Sequence, residues 1–246
     1  MLNITNKPKI VVLSGAGISA ESGIKTFRDG NGLWDNYKIE DVCTHAALSS
    51  NPDFVNSFYN MRRQEVLKAQ PNKAHVALAE AEEYFDIQVV TQNVDDLHER
   101  AGSSKVLHLH GELLKARSMN PLYIGEKVYP SYPVGLEGIK PGQTARDGYL
   151  LRPDVVFFNE SVPKILDAEK LVQECDALII VGTSLAVYPA ADLVWQVADA
   201  PIYYIDPNIL YSEELKFPCR FYKSRATVGI PDVIKDLKSK FLGEIK

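Results

Sequence analysis

Four short apolar runs, Ile10–Leu13, Ile87–Val90, Leu178–Val181 and Ile202–Ile205, each stop abruptly at small or polar residues. Continuous apolar runs of this length predict strands buried on both faces, as in a parallel sheet. Helical spacing lies between them, which predicts an α/β protein with an open, doubly wound sheet, whose ligands sit beyond the carboxyl ends of the strands. Those ends are Ser14-Gly15-Ala16-Gly17, Thr91-Gln92-Asn93-Val94-Asp95, Gly182-Thr183-Ser184 and Asp206-Pro207-Asn208. All are rich in glycine or hydrogen-bonding side chains, and the topology gathers them on one rim. Between Lys115 and Leu151 the texture changes to Pro, Gly and Tyr with little periodicity, which predicts a small inserted module (residues 115–151) in an otherwise single domain spanning residues 1–246. Pro231–Phe241 has helical spacing at Val233, Ile234, Leu237 and Phe241 and is predicted to pack on the sheet. The apolar tract Ala177–Ala191 is shorter than the roughly 20 residues of a membrane span and is broken by Gly182, Thr183, Ser184 and Pro189, so it reads as a strand plus turn.

Composition narrows the function classes. With 46% hydrophobic and 24% charged residues the chain is an ordinary globular sequence. Its net charge of −5 and lack of a dense basic run argue against nucleic acid as a partner. No membrane partner is expected either. The three cysteines, Cys43, Cys175 and Cys219, are widely spaced with no CxxC pair and read as reduced thiols. The start MLNITNKPKI has neither the charge nor the apolar stretch of a signal peptide, so a cytoplasmic location is the expectation.

The first strand runs into a G-x-G-x-x-A turn formed by Gly15, Ala16, Gly17 and Ala20. Such a turn lets backbone amides meet a pyrophosphate, the arrangement of a Rossmann-like dinucleotide site. A dehydrogenase would continue into a helix, a second strand and an acidic residue; Asp35 has the spacing but no strand before it. Instead Glu21–Gly30, including Thr26, Phe27 and Arg28, is polar and glycine-punctuated, like an ordered loop over a ligand. From these residues alone, a tight turn without any ligand stays open.

Taken together, Gly15-Ala16-Gly17-Ile18-Ser19, Ser22-Gly23-Ile24, Phe27-Arg28, Thr91-Gln92-Asn93-Val94-Asp95-Asp96-Leu97-His98, His110-Gly111 and Gly182-Thr183-Ser184 resemble the successive signatures of the sirtuin family in order and spacing. The resemblance runs from Lys9 to about Pro231 and is weakest over 115–150. It implies NAD as a consumed co-substrate, with an acyl group passing from a lysine to the ribose of NAD, so that nicotinamide, O-acyl-ADP-ribose and free lysine result. The partners would be acylated-lysine proteins or peptides. His110 would be the proton acceptor, a task suited to an imidazole, which is partly neutral at physiological pH. His108, two residues earlier and so on the same strand face, is its competitor; Gly111 after it favours His110.

By the same resemblance, Gln92 and Asn93 bind the nicotinamide ribose, and Val94 and Asp95 hold the carboxamide. Gly182, Thr183, Ser184 and Asp206 lie on the adenosine side, Ala226 meets adenine through its backbone, and Phe27 and Arg28 cover the reacting ribose. Asn93 counts with His110 among the catalytic residues. Tyr59 and Arg62, three apart on the helix Phe54–Arg63, share one face. Hydroxyl and guanidinium together suit a terminal carboxylate, and the flanking Phe-Tyr-Asn-x-Arg-Arg resembles the sirtuins that remove succinyl and malonyl groups. A strand over Val155–Glu160, with Val156 and Phe158, is expected to pair with extended substrate.

The chain departs from the family where most members hold zinc with two CxxC pairs. The corresponding stretch here has Arg117-Ser118-Met119-Asn120, so a zinc-free module held by Tyr, Leu and Pro packing is expected. Lys25, Asn159 and Asp206 stand where proline, glycine and asparagine are usual. An ADP-ribosyltransferase, a dehydrogenase and a non-catalytic NAD-binding module are the rival readings.

Overall fold

The structure, a computed structural model, describes residues 7–26, 37–208 and 217–243. Strand β1 (Lys9–Ser14) turns Ile10 and Val12 toward one apolar cluster and Val11 and Leu13 toward another, which is why the run shows no polar alternation. It pairs in parallel with β2 (Asp86–Thr91) on one side and β7 (Ala177–Val181) on the other. With β3 (Val106–His108), β8 (Ile202–Ile205) and β9 (Arg220–Tyr222) the sheet has the order β3-β2-β1-β7-β8-β9, every pair parallel. The chain builds outward from β1 to β3 and then restarts at β7 in the opposite direction. The loops after β1 and β7 therefore part at a switch point, the place where such sheets take their ligands.

Helices α5 (Lys73–Ala81) and α8 (Ala226–Leu242) cover the face of Ile10 and Val12; α7 (Ile165–Gln173) and the 3-10 segment Ala190–Gln196 cover the other. The α5 cap also serves the site, because Asn72 accepts from the Ala74 amide while its Nδ2 donates to the Ile18 carbonyl (2.8 Å) and Ser22 Oγ (3.0 Å). Helix α8 starts five residues before the expected Pro231, which lies within it. The burial of Ala226, Gly229 and Ile230 extends its apolar face in that direction. The tract after Ala177 is a strand and turn, as expected, and among the described residues no helix is long and apolar enough to cross a membrane.

A second, antiparallel sheet has the order β5-β4-β6, from β4 (Gly111–Ser118), β5 (Ser131–Pro133) and β6 (Leu151–Val155). It reaches beyond residues 115–151 on both sides, since its flanking strands carry ordinary strand sequence. Its own core of Ala116, Ile139, Ala145 and Leu151, with Tyr132 and Val134, is small. A buried charge cluster supplements that packing. Arg152 forks onto Glu160 (2.5 and 2.9 Å), Arg117 lies 3.5 Å from Glu160 and 3.7 Å from Asp154, and Tyr129 and Ser131 donate to Asp154 (2.7 and 2.8 Å). Burial would raise the Glu160 pKa, but the Arg152 pair outweighs it and holds the carboxyl at about 2. Leu151 and Tyr132 belong to the expected packing, and the paired charges add to it contacts that the sequence reading did not foresee.

Candidate active site

The two glycine loops meet at the switch point with no room for side chains. A Cβ on Gly17 would lie 2.6 Å from the Gly182 Cα, and one on Gly182, at φ +63°, would lie 2.3 Å from the Ile18 nitrogen. The amides of Gly15 and Gly17 donate to the Val181 and Gly182 carbonyls (3.0 and 2.8 Å). These two amides therefore serve the loop junction rather than face a pyrophosphate, and the glycines are needed for close approach. Half-buried Ala16 and exposed Ala20 flank them. Thr26 closes this described stretch, whereas Phe27, Arg28 and Asp35 lie outside the described residues.

Beyond β2 the chain Gln92–Asp95 is pinned on every side. Asn93 is buried; its amide donates to Thr91 Oγ1 (3.0 Å), and its Nδ2 lies 3.2 Å from both the Gly15 carbonyl and Ser19 Oγ. Ser19 Oγ donates to Asp95 Oδ2 (3.0 Å), whose other oxygen accepts from the Leu97 amide at the start of α6 (Leu97–Ala101). Gln92 Nε2 donates to Thr183 Oγ1 (2.9 Å), which joins the loops after β2 and β7. The Val94 carbonyl accepts from Leu113, the Thr183 carbonyl from the Tyr204 hydroxyl, and Ser184 is half-buried. Asp206 is buried after β8, and Ala226 is the first residue of α8. Thus the structure brings Gly15, Asn93, Asp95, Gln92 and Thr183 into one bonded cluster.

Strand β3 ends at His108, so the alternation that would put His108 and His110 on one face stops before His110. His110 is half-buried, with Nδ1 3.0 Å from the Gln92 carbonyl. A carbonyl only accepts, so Nδ1 carries the proton and Nε2 is the basic nitrogen of the neutral ring. Burial lowers its pKa below the usual 6.5, with the Gln92 carbonyl partly opposing. The Val156 amide donates to the His110 carbonyl (2.8 Å), and Gly111, at φ +84°, starts β4 where a Cβ would meet the Asp154 carbonyl at 2.1 Å. His110 is thereby fixed between the two sheets.

The expected strand over Val155–Glu160 ends at Val155. Beyond it the amides of Val156, Phe157 and Phe158 already donate to the His110 carbonyl, Glu160 and the Cys43 carbonyl, so only an isolated bridge from Phe158 to Thr44 remains. Phe158 itself is exposed, and Asn159 adopts φ +71°, a conformation that favours glycine and that asparagine tolerates better than most residues.

Helix α4 (Pro52–Lys68) is longer than predicted, capped by Asn51 with Pro52 in its first turn. Tyr59 and Arg62 do not sit on a solvated face. The Tyr59 ring makes edge contacts with Phe58 and Phe157, and its hydroxyl is 3.3 Å from Cys43 Sγ. Burial, then Cys43, raises the Tyr59 pKa well above 10, and burial raises that of Cys43 to about 11, so both stay neutral donors. Arg62 is paired with Glu65 on the next turn. Cys43 has no sequence signal of its own; only the packing of its loop against α4 reveals it. Ser19, inside the glycine motif, carried the signal but no assigned role.

Among the described residues no group of three His, Cys, Asp or Glu could hold a metal ion. A structural zinc of the thiolate type does not fit this chain, whose three cysteines are far apart in sequence and whose module offers arginines and a methionine instead.

Residues 15–189 match the Sir2 family model. The chain is 52% identical over 203 residues to an NAD-dependent protein deacylase of Helicobacter pylori, covering 81% of this chain and 84% of that protein. It is 41% identical over 235 residues to one of Aquifex aeolicus, covering 94% and 96%. Among solved structures it is similar to a mutant Sir2 homologue in complex with ADP-ribose (TM-score 0.83, 36% identity, 99% of this chain and 97% of that one). It is similar also to a Sir2 homologue–NAD complex (TM-score 0.79, 36% identity, 95% and 91%).

Proposed function

The chain belongs to the Sir2 family and is an NAD-dependent protein deacylase, and we propose that it removes succinyl and malonyl as well as acetyl groups from lysine, with His110 as proton acceptor. NAD supplies the ribose carbon that takes the acyl oxygen as nicotinamide leaves. The switch-point crevice fits it, because the loops after β1, β2 and β7 converge there. Gly15, Ala16, Gly17, Ala20 and Gly182 would line its pyrophosphate; Thr183, Ser184, Asp206 and Ala226 its adenosine side; Gln92 and Asn93 its second ribose; Val94 and Asp95 its carboxamide. Thr26, Phe27 and Arg28 would cover it, and Val156 and Phe158 would flank the acylated peptide.

The observation that carries the chemistry is the Nδ1 bond from His110 to the Gln92 carbonyl, which aims a basic Nε2 away from the backbone. The acyl reading is supported by the inward Tyr59 and Arg62, a hydroxyl and a guanidinium held in a largely apolar wall with Phe157 and Cys43. Incubation with NAD and acetyl-, malonyl- or succinyl-lysine peptides, following nicotinamide, peptide mass and NADH together, tests both. Nicotinamide release coupled to loss of each acyl group is expected. Silence with every peptide would sink the deacylase reading, ADP-ribose left on protein would favour a transferase, and NADH would indicate hydride transfer.

A further inference from the structure

The residue that competes with His110 in the sequence has a different environment. His108 is buried, with Nδ1 3.0 Å from the Asn93 carbonyl and Nε2 2.7 Å from the Glu99 carboxylate on α6. Both partners only accept hydrogen bonds, so making both requires a proton on each ring nitrogen. We propose that His108, held as an imidazolium between Glu99 and the Asn93 carbonyl, is a positioning residue that sets Asn93 for the cofactor ribose. The proposal rests on the reading of Asn93 as a cofactor contact.

The charges around His108 support it. Burial opposes the charged form, but the bond and charge of Glu99 outweigh it, with smaller help from the Asn93 carbonyl and Glu112 on β4, so the pKa rises above 6.5. Asp95 before α6 also faces it with favourable charge, His98 on α6 is kept neutral by burial, and Lys115 faces Glu99. A histidine whose folded pKa is raised keeps its contribution below the unfolded value and loses it as pH rises through the folded one. On losing one proton, the ring keeps the charge-assisted bond to Glu99 and turns a lone pair toward the Asn93 carbonyl. Asn93 then loses the tether on its carbonyl, while its amide and Nδ2 keep their own partners.

In Glu99→Gln the amide can donate to Nε2, which leaves Nδ1–H for Asn93 with no net charge on the ring. The KM for NAD should therefore rise with alkaline pH in the wild type and stay flat in Glu99→Gln. His108→Asn should hold that KM flat with pH, about tenfold above the wild-type value at pH 6 and close to it at alkaline pH, the order expected for a lost charge-assisted bond, with a smaller change in kcat. Steady-state kinetics from pH 6 to 9 on these variants and on Asn93→Ala, each checked for its thermal transition, form the test. If Asn93→Ala leaves the KM for NAD unchanged, the reading of the loop falls and the proposal with it. If Asn93→Ala is impaired but Glu99→Gln follows the wild-type pH profile, the proposal alone is overturned, even where His108→Asn does not fold.

Discussion

At the residue scale, the proposed reaction assigns His110 and Arg62 separable tasks. As the proposed base, His110 works only while its imidazole is neutral, and because burial lowers its pKa the acidic limb of kcat/KM is expected below pH 6.5. His110→Ala is expected to lower kcat by about 10²–10⁴; a pH-rate profile whose acidic limb lies above 6.5 would assign the base elsewhere. Arg62→Met should lower kcat/KM on succinyl peptide roughly 10- to 100-fold and leave acetyl peptide within a few-fold, because one charge-assisted contact is removed. Equal losses on both peptides would assign Arg62 to the fold instead. Since Glu65 already occupies part of the Arg62 fork, Glu65→Gln is expected to improve succinyl-peptide KM by about two- to fivefold. His110 was proposed from its motif, and the structure adds its bond to the Gln92 carbonyl. His108 was legible only as a rival, because nothing in the spacing of His108 and Glu99 says that a helix will bring them to 2.7 Å.

At the scale of elements, the small sheet is braced by a buried charge cluster beside its small apolar core. Its cluster of Arg117, Arg152, Asp154 and Glu160 is nearly dry, so removing one partner leaves a charge buried without its counterpart. Arg152→Met is expected to cost about 3–5 kcal/mol at neutral pH. Without Arg152, burial raises the Glu160 pKa, so the loss should be smaller at pH 5 than at pH 8 by chemical denaturation; an equal loss at both would remove Glu160 from the account. In the wild type, the stabilisation held by Glu160 is complete above its usual 4.5 and disappears as pH falls toward about 2. Chelators should leave the melting temperature unchanged, and stoichiometric zinc in purified protein would contradict this view of the module. Composition predicted a separate module but not its cohesion, since charges scattered over Arg117–Glu160 become a cluster only when β4 and β6 pair.

For the whole molecule, the decisive feature is the switch between β1 and β7. ADP-ribose at 100 times its Kd should add about 2.7 kcal/mol and raise Tm by roughly 5–10 °C if it binds the native crevice. Gly182→Ala forces a Cβ into the Ile18 backbone at positive φ, and is expected to lose about 2–4 kcal/mol and most of that ligand shift. A folded wild type with no shift would move the cofactor site away from this crevice.

The sequence by itself determined the four central strands and their loops, because apolar runs bounded by turn residues are local patterns, and it pointed to the family through the resemblance of its successive motifs. It also determined the absence of paired CxxC thiolates. Only the tertiary structure decided that Gly15 and Gly17 serve a loop junction, that Cys43 meets Tyr59, and that Arg152 braces Glu160. It alone separated His110, whose one described ring contact is a carbonyl, from His108, clamped between a carbonyl and a carboxylate. The physical reason is common to all four: each depends on which acceptors and backbones the fold brings within 3–4 Å of one another across different elements, and hydrogen-bond geometry of that kind is written in no local pattern.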